Sequence, residues 1–217
     1  MRGLNRLDSA SSAIDSANAD DPNEATVRGE VIPLALAHGR LAAEWVTRLS
    51  PGADDTVVLA ARAHHLRRWE VPRSSYPEGR PGYLRWRRDQ KQRHADDVAS
   101  LLAAAGYGPE EIERVRALVR REGLGTDPDT QLVEDAACLV FIETQLGEVS
   151  ERFDREHLLD VIRKTAGKMS PAGLRAVSQI DLGERERTLL DDALGEAPSS
   201  DVSRSDVSRS EVSRSEV

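Results

Sequence analysis

The sequence predicts an all-α protein, a helical bundle of about eight helices, and three observations carry that prediction. Apolar residues recur at helical spacing through most of the chain, with Gly and Pro punctuation between stretches. Hydrophobic residues make up 39% and aromatic residues only 4%, so the core has to be built from Ala, Leu, Val and Ile. No segment shows the convincing period-2 alternation of a half-buried strand. At 217 residues the chain is long enough for one domain with a sizeable core, read as residues 1–197, followed by a tail over 198–217.

The elements follow in order. A short first helix is expected over Leu7 to Asn18, ending in the polar run ADDPN. A second starts near Pro33, carries Leu34, His38, Leu41 and Trp45 on one face, and stops at Ser50-Pro51-Gly52. The acids Asp54 and Asp55 suit the positive end of a third helix, read through to Trp69. A basic, turn-rich loop (EVPRSSYPEGRPG) precedes a long fourth helix from Tyr83 to Ala105, closed by Gly106. Pro109 opens a fifth, lasting to Glu122. The sixth covers Asp129 to Leu146, and two or three more fill Asp154 to Leu194. From Ser200 the chain repeats Ser-acid-Val-Ser-Arg, a five-residue period that matches neither helix nor strand. One apolar residue per repeat cannot offset the entropy of ordering, so this tail is expected to be disordered and dispensable for stability.

A net charge of −8 argues against general affinity for nucleic acid. A single cysteine, Cys138, rules out an internal disulfide and suits a reducing compartment. The start MRGLNRLDSA has no apolar signal region, and no stretch approaches the roughly 18 apolar residues of a membrane span. A cytoplasmic protein with no membrane partner is expected. Nothing in the chain sets an oligomeric state.

Four of the five histidines stand out: His38, the pair His64-His65, and His94. His38 lies on an apolar stripe. His65 shares one with Val58, Ala61 and Trp69, while His64 aligns with Ala60 and Arg68. Asp135 falls between Leu132, Leu139 and Ile142, and an unpaired carboxylate on such a face is expensive to bury. Imidazole and carboxylate donors together suit Mn, Fe, Co, Ni or Zn. The plainer alternatives are hydrogen-bonded core histidines and an Asp135 paired with arginine. His94 sits at the border between core and basic surface, where it suits a substrate contact or a supporting role. His157, at a helix start, reads as a surface residue.

The order of His38, then AARAHHLRRW, then Glu134-Asp135 opening DAACLV resembles the HD superfamily of metal-dependent phosphohydrolases. That resemblance implies an all-helical fold, with His38 as the first metal ligand, His64 as the His of the His-Asp doublet, and Asp135 as the distant Asp. His65 stands where the doublet's Asp would be. Glu134, beside the last ligand, would orient water, and His94 would assist. The segments IDSANADDPN, LRRWEVPRSSYPEGRPGYLRWR and EDAACLVFIE also resemble an uncharacterised family, known only as a domain of unknown function, over most of residues 5 to 195.

Between Arg62 and Arg93 ten basic residues face three acids, a local inversion in an acidic chain. Arginine forks bind phosphate, so Arg67, Arg68, Arg80, Arg87 and Lys91 are candidate clamps. Tyr76, Tyr83 and Trp86 offer stacking surfaces for a base. A solvated helix face and local RNA binding are the other readings of this segment. Residues 37–40 (AHGR) and 167–171 (GKMSP) faintly resemble the class I aminoacyl-tRNA synthetase signatures, but those work on a parallel sheet that this sequence does not contain. Lys168, Met169 and Ser170 read instead as a helix end followed by a Ser-Pro helix start. The expected function is a metal-dependent phosphohydrolase acting on a nucleotide or other small phosphoester. The alternatives are a non-catalytic sensor of the same ligand and a structural adaptor.

Overall fold

The computed structural model describes residues 5–195, and the expected pentapeptide tail lies outside them. Those residues form an all-α fold of ten α-helices with one small hairpin. The helices are α1 (Arg6–Asn18), α2 (Leu34–Leu49), α3 (Asp55–Arg62), α4 (Gly79–Ala104) and α5 (Pro109–Arg120), then α6 (Pro128–Thr144), α7 (Leu146–Arg152), α8 (Arg155–Ala166), α9 (Pro171–Ala176) and α10 (Glu184–Gly195). None of them is long and apolar enough to cross a membrane.

Local chemistry sets most boundaries. Asp54 caps α3 by accepting from the Thr56 N–H, and Asp127 caps α6 by accepting from Asp129 and Thr130 ahead of Pro128. Ser170 caps α9 with Pro171 behind it, as its Ser-Pro sequence predicts. The central helix is α2, packed against α3 and α6, while α4 runs along α5. Leu41, Trp45, Leu59, Leu66, Val98, Leu118 and Leu139 meet in one continuous apolar core.

Besides the extra helix α7 and the start of α4 at Gly79 instead of Tyr83, two features depart from the expectation. The absence of strands is corrected by β1 (Glu24–Val27) and β2 (Glu30–Pro33), paired antiparallel with Ala25 opposite Ile32. Their two-residue turn puts both Arg28 (φ 52°) and Gly29 (φ 86°) in the left-handed region, as a type I′ hairpin requires. Each strand has four residues and none is fully buried, so the alternation is too short and too exposed to be read. The third helix also stops early. Its α-helical part ends at Arg62, the chain then passes through turns to Arg67 (φ 52°), and a single 3-10 turn covers Arg68–Glu70. Tertiary bonds win over local propensity here. The Asn18 carboxamide accepts from the Arg67 N–H, and the Gln90 amide donates to the Arg68 and Val71 carbonyls.

Gly39 makes this junction possible. A Cβ built on it would stand 2.5 Å from the Arg62 carbonyl oxygen, so only glycine lets α2 pass against the end of α3. His38 precedes it and His64 and His65 follow the carbonyl. Gly39→Ala should therefore destabilise the fold by about 1–3 kcal/mol, the usual cost of overpacking, and spread the two helices at the histidines. Thermal melting checks this, and a variant as stable as the parent would show that the contact is soft.

Candidate functional site

A cavity of about 120 Å³ opens between the helices, and each wall is a recognisable helical face. From α4 come Arg87, Gln90, Lys91 and His94, spaced i, i+3, i+4, i+7. From α6 come Glu134, Ala137, Cys138, Phe141 and Gln145 on the same repeat, the last one residue beyond the helix. His38 is supplied by α2, His64, His65 and Arg68 by the turns after α3, and Arg121, Thr165 and Lys168 by the ends of α5 and α8.

The four imidazoles cluster. Ring centroids are 4.1 Å apart for His64 and His65, 5.4 Å for His38 and His65, 6.4 Å for His38 and His64, and 6.3 Å for His65 and His94. The Nδ1 atoms of His38 and His65 lie 3.1 Å apart. Thr144 Oγ1 donates to the Val140 carbonyl, so it accepts from His38 Nε2–H at 3.2 Å, which leaves His38 Nδ1 to accept a hydrogen bond from His65 Nδ1–H. His64 Nδ1–H donates to the Ala61 carbonyl at 2.8 Å, and its Nε2 is buried without a hydrogen-bond partner. Neither nitrogen of His94 makes a hydrogen bond of proper geometry, although the Leu66 backbone is close enough to oppose slightly the fall in its pKa.

All four rings are held neutral. Burial, reinforced by Arg68, lowers His38 to about 4 and His94 to about 3. His64 and His65 are also pushed well down, chiefly by burial and then by neighbouring cations and rings. His65 is partly open to the cavities. Neutral imidazoles keep a nitrogen lone pair for coordination.

The rest of the lining is cationic. Arg68, Arg87, Lys91, Arg121 and Lys168 face a single acid, Glu134. Arg121 is 7% exposed and donates through Nε to Glu134 at 2.7 Å, and this partner keeps the Glu134 carboxyl low despite its burial. Burial beside Arg121 brings the Lys91 ammonium down to about 8. Gln90 Oε1 is a further buried acceptor without a hydrogen-bond partner. Cys138 is pushed up to about 12 by burial, so its thiol is inert at neutral pH.

Several expected site residues lie elsewhere. Asp135 is buried but does not border the cavity. Its carboxylate accepts from the Ser170 N–H at 2.8 Å, the Ser170 hydroxyl and the Gln131 amide, and it packs on Gly173 of α9. Adjacent residues on a helix point about 100° apart, so Glu134 and Asp135 cannot both face the rings. Trp86 is fully buried, with its indole N–H on the Val71 carbonyl, so it offers no stacking surface. The Tyr76 hydroxyl donates to Asp89, and Tyr83 packs beside Trp86. Arg80 is exposed on the first turn of α4, and Arg67 turns toward Glu70; neither borders the cavity. The sequence reading had no role for Arg121, Lys168, Thr144 or Gln90. A basic residue closing a helix, as Arg121 closes α5, was the one available signal.

Among the described residues no three His, Cys, Asp or Glu side chains are grouped so that they could hold a metal ion. One pair of imidazole nitrogens has the spacing of two ligands to a single ion. Two nitrogens bound to one ion at about 2.1 Å lie roughly 3.0–3.4 Å apart for angles from a right angle to tetrahedral, and the His38–His65 Nδ1 pair falls in that span. The far nitrogens of His38 and His64 are fixed by Thr144 and the Ala61 carbonyl, the supporting bonds that orient metal-ligating histidines.

The fold and site thus define an all-helical chain with a cationic cavity built around neutral histidines. By sequence the chain belongs to the family described as Domain of unknown function (DUF4202), whose model matches residues 8–190. No curated protein and no solved structure shows a significant match.

Proposed function

We propose that this protein is a metal-dependent phosphohydrolase of the HD type, acting on a small phosphoester. The observation that carries the reading is the composition of one cavity, where neutral imidazoles, those of His64 and His94 with unpartnered nitrogens, adjoin five cations and one acid among the described residues. Positive side chains converging in a partly desolvated pocket recognise phosphate. His38, His65 and His64 would hold a divalent transition metal, Mn, Fe, Co, Ni or Zn. Such an ion would supply Lewis-acid activation of a phosphoryl group and of water.

The chain's own residues do the rest. Arg68, Arg87, Lys91 and Lys168 bind and orient the phosphoryl oxygens, and Arg121 does so while holding Glu134. His94 stays neutral at physiological pH and offers a hydrogen bond to water or to a phosphoryl oxygen without adding charge. Asp135 serves this site by fixing α9 against α6, in place of the ligand role that the resemblance implies.

One observation favours a sensor that binds without hydrolysis: among the described residues the only acid in the cavity wall, Glu134, is already paired with Arg121. A panel of phosphomonoesters, incubated with each of the five metals, separates the two. Hydrolysis is expected to release phosphate for some member, and chelation or His38→Ala should abolish it. Retention of every ester intact, with a rise in melting temperature, would establish the sensor instead.

A further inference from the structure

A second cavity, of about 340 Å³, shares His38, His65, Arg68 and Gln145 with the first. Its other walls differ in chemistry. Leu34, Pro22, Pro72 and the half-buried Trp69 present apolar surface, and among the described residues Arg68 is its only cation. Asp21 is already occupied, with one carboxylate oxygen on the Asn23 backbone and side-chain amides and the other on the Ala35 N–H. The first chamber is the smaller of the two, about 120 Å³ against 340 Å³, and it carries five cations among the described residues, which suits the phosphoryl end of a ligand. The second belongs to the few-hundred-Å³ class of small-molecule pockets.

We infer that the ligand is a nucleoside monophosphate, with its phosphate in the cationic chamber and its base against Trp69 in the second. The inference rests on the phosphoryl-binding reading above. Trp69 supplies a flat apolar face of the kind on which bases stack, and the polar groups of Asn23 and Gln145 at the chamber's edge suit a ring with hydrogen-bonding edges over a plain aryl group. With no cation beyond Arg68, the second chamber disfavours further phosphates, so a triphosphate should bind worse than a monophosphate. Trp69 thereby takes the stacking role that the sequence reading gave to Trp86.

Calorimetric titration of the full chain in EDTA, which prevents turnover, tests this with orthophosphate, ribose 5-phosphate, adenosine and cytidine monophosphates, and ATP. At least one nucleoside monophosphate should bind about tenfold or more tighter than orthophosphate and ribose 5-phosphate, and tighter than ATP. Trp69→Ala should remove about tenfold of that affinity and leave orthophosphate unchanged, while Trp69→Phe keeps most of it. Lys91→Ala should weaken every probe. Thermal melts of each variant confirm that it is folded. Orthophosphate binding without a nucleotide advantage, ATP binding tighter than both monophosphates, or equal loss of orthophosphate and nucleotide in Trp69→Ala, would overturn the assignment of the second chamber alone. No binding of any probe would overturn the phosphoryl reading and this inference with it.

Discussion

Replacing Arg121 with alanine is expected to lower the melting temperature by on the order of 10 °C and to abolish measurable phosphate binding. The guanidinium and the Glu134 carboxylate are 7% and 13% exposed and 2.7 Å apart, and Arg121 also donates to the Leu118 and Val119 carbonyls at the end of α5. Removing one partner of a buried pair costs up to about 3–5 kcal/mol, of which Lys91 and Lys168 near Glu134 offset a part, and each kcal/mol is roughly 2–4 °C in a domain of this size. The Glu134 carboxyl, now without its hydrogen-bonded cation, should rise in pKa. Adding Glu134→Gln to Arg121→Ala should recover part of the stability but none of the anion affinity. Scanning calorimetry with phosphate titration checks both. A single variant that melts like the parent would mean that the pair is worth little.

Mild acid should unfold the metal-free protein, near pH 5 and above the carboxylate range. The sign follows from the histidines. Their folded pKa values lie below the unfolded value of 6.5, so the unfolded state binds more protons and stability falls as pH drops below 6.5 toward the folded values of about 4 for His38 and about 3 for His94. At pH 5 each buried neutral histidine costs roughly 2 kcal/mol relative to pH 7. His38 and His94 together then remove about 4 kcal/mol, and His64 is pushed in the same direction, so a large share of the stability of a typical domain is lost. Glu134, whose folded pKa is depressed, works the other way and costs stability only below its unfolded value near 4.5. His94→Leu should move the acid midpoint to lower pH, because it deletes one proton acceptor that makes no hydrogen bond of proper geometry. Near-ultraviolet circular dichroism against pH reads this, and an unchanged midpoint would show that His94 is hydrated.

What the sequence carried, it carried through periodicity and caps. The apolar stripe of α2, the Asp54 and Ser170 caps and the inward His38 are written in side-chain spacing, whereas His94, read at the border with the basic surface, is 2% exposed. Periodicity states that a residue is buried, not against what. Asp135 shows the limit: it is 3% exposed as its apolar neighbours predict, yet α6 is buried on more than one side and this face meets α9. The histidine pair shows another. On an unbroken helix His64 and His65 would diverge by about 100°, and both reach the cavity only because contacts from Asn18, Gln90 and Gly39 hold the chain in turns after Arg62. Arg121 stands in the left-handed region at φ 65°, a conformation that no sequence rule assigns to arginine, and that conformation closes α5 beside the cavity.

Metal content of the full chain, purified without a histidine tag and exposed in turn to Mn, Fe, Co, Ni and Zn, tests the central claim most directly. Plasma mass spectrometry should find about one transition-metal ion per chain, as a single cluster of neutral imidazoles implies, and His38→Ala and His64→Ala variants that still melt cooperatively should lose it. Protein that is isolated without metal and rebinds none of the five would contradict the account.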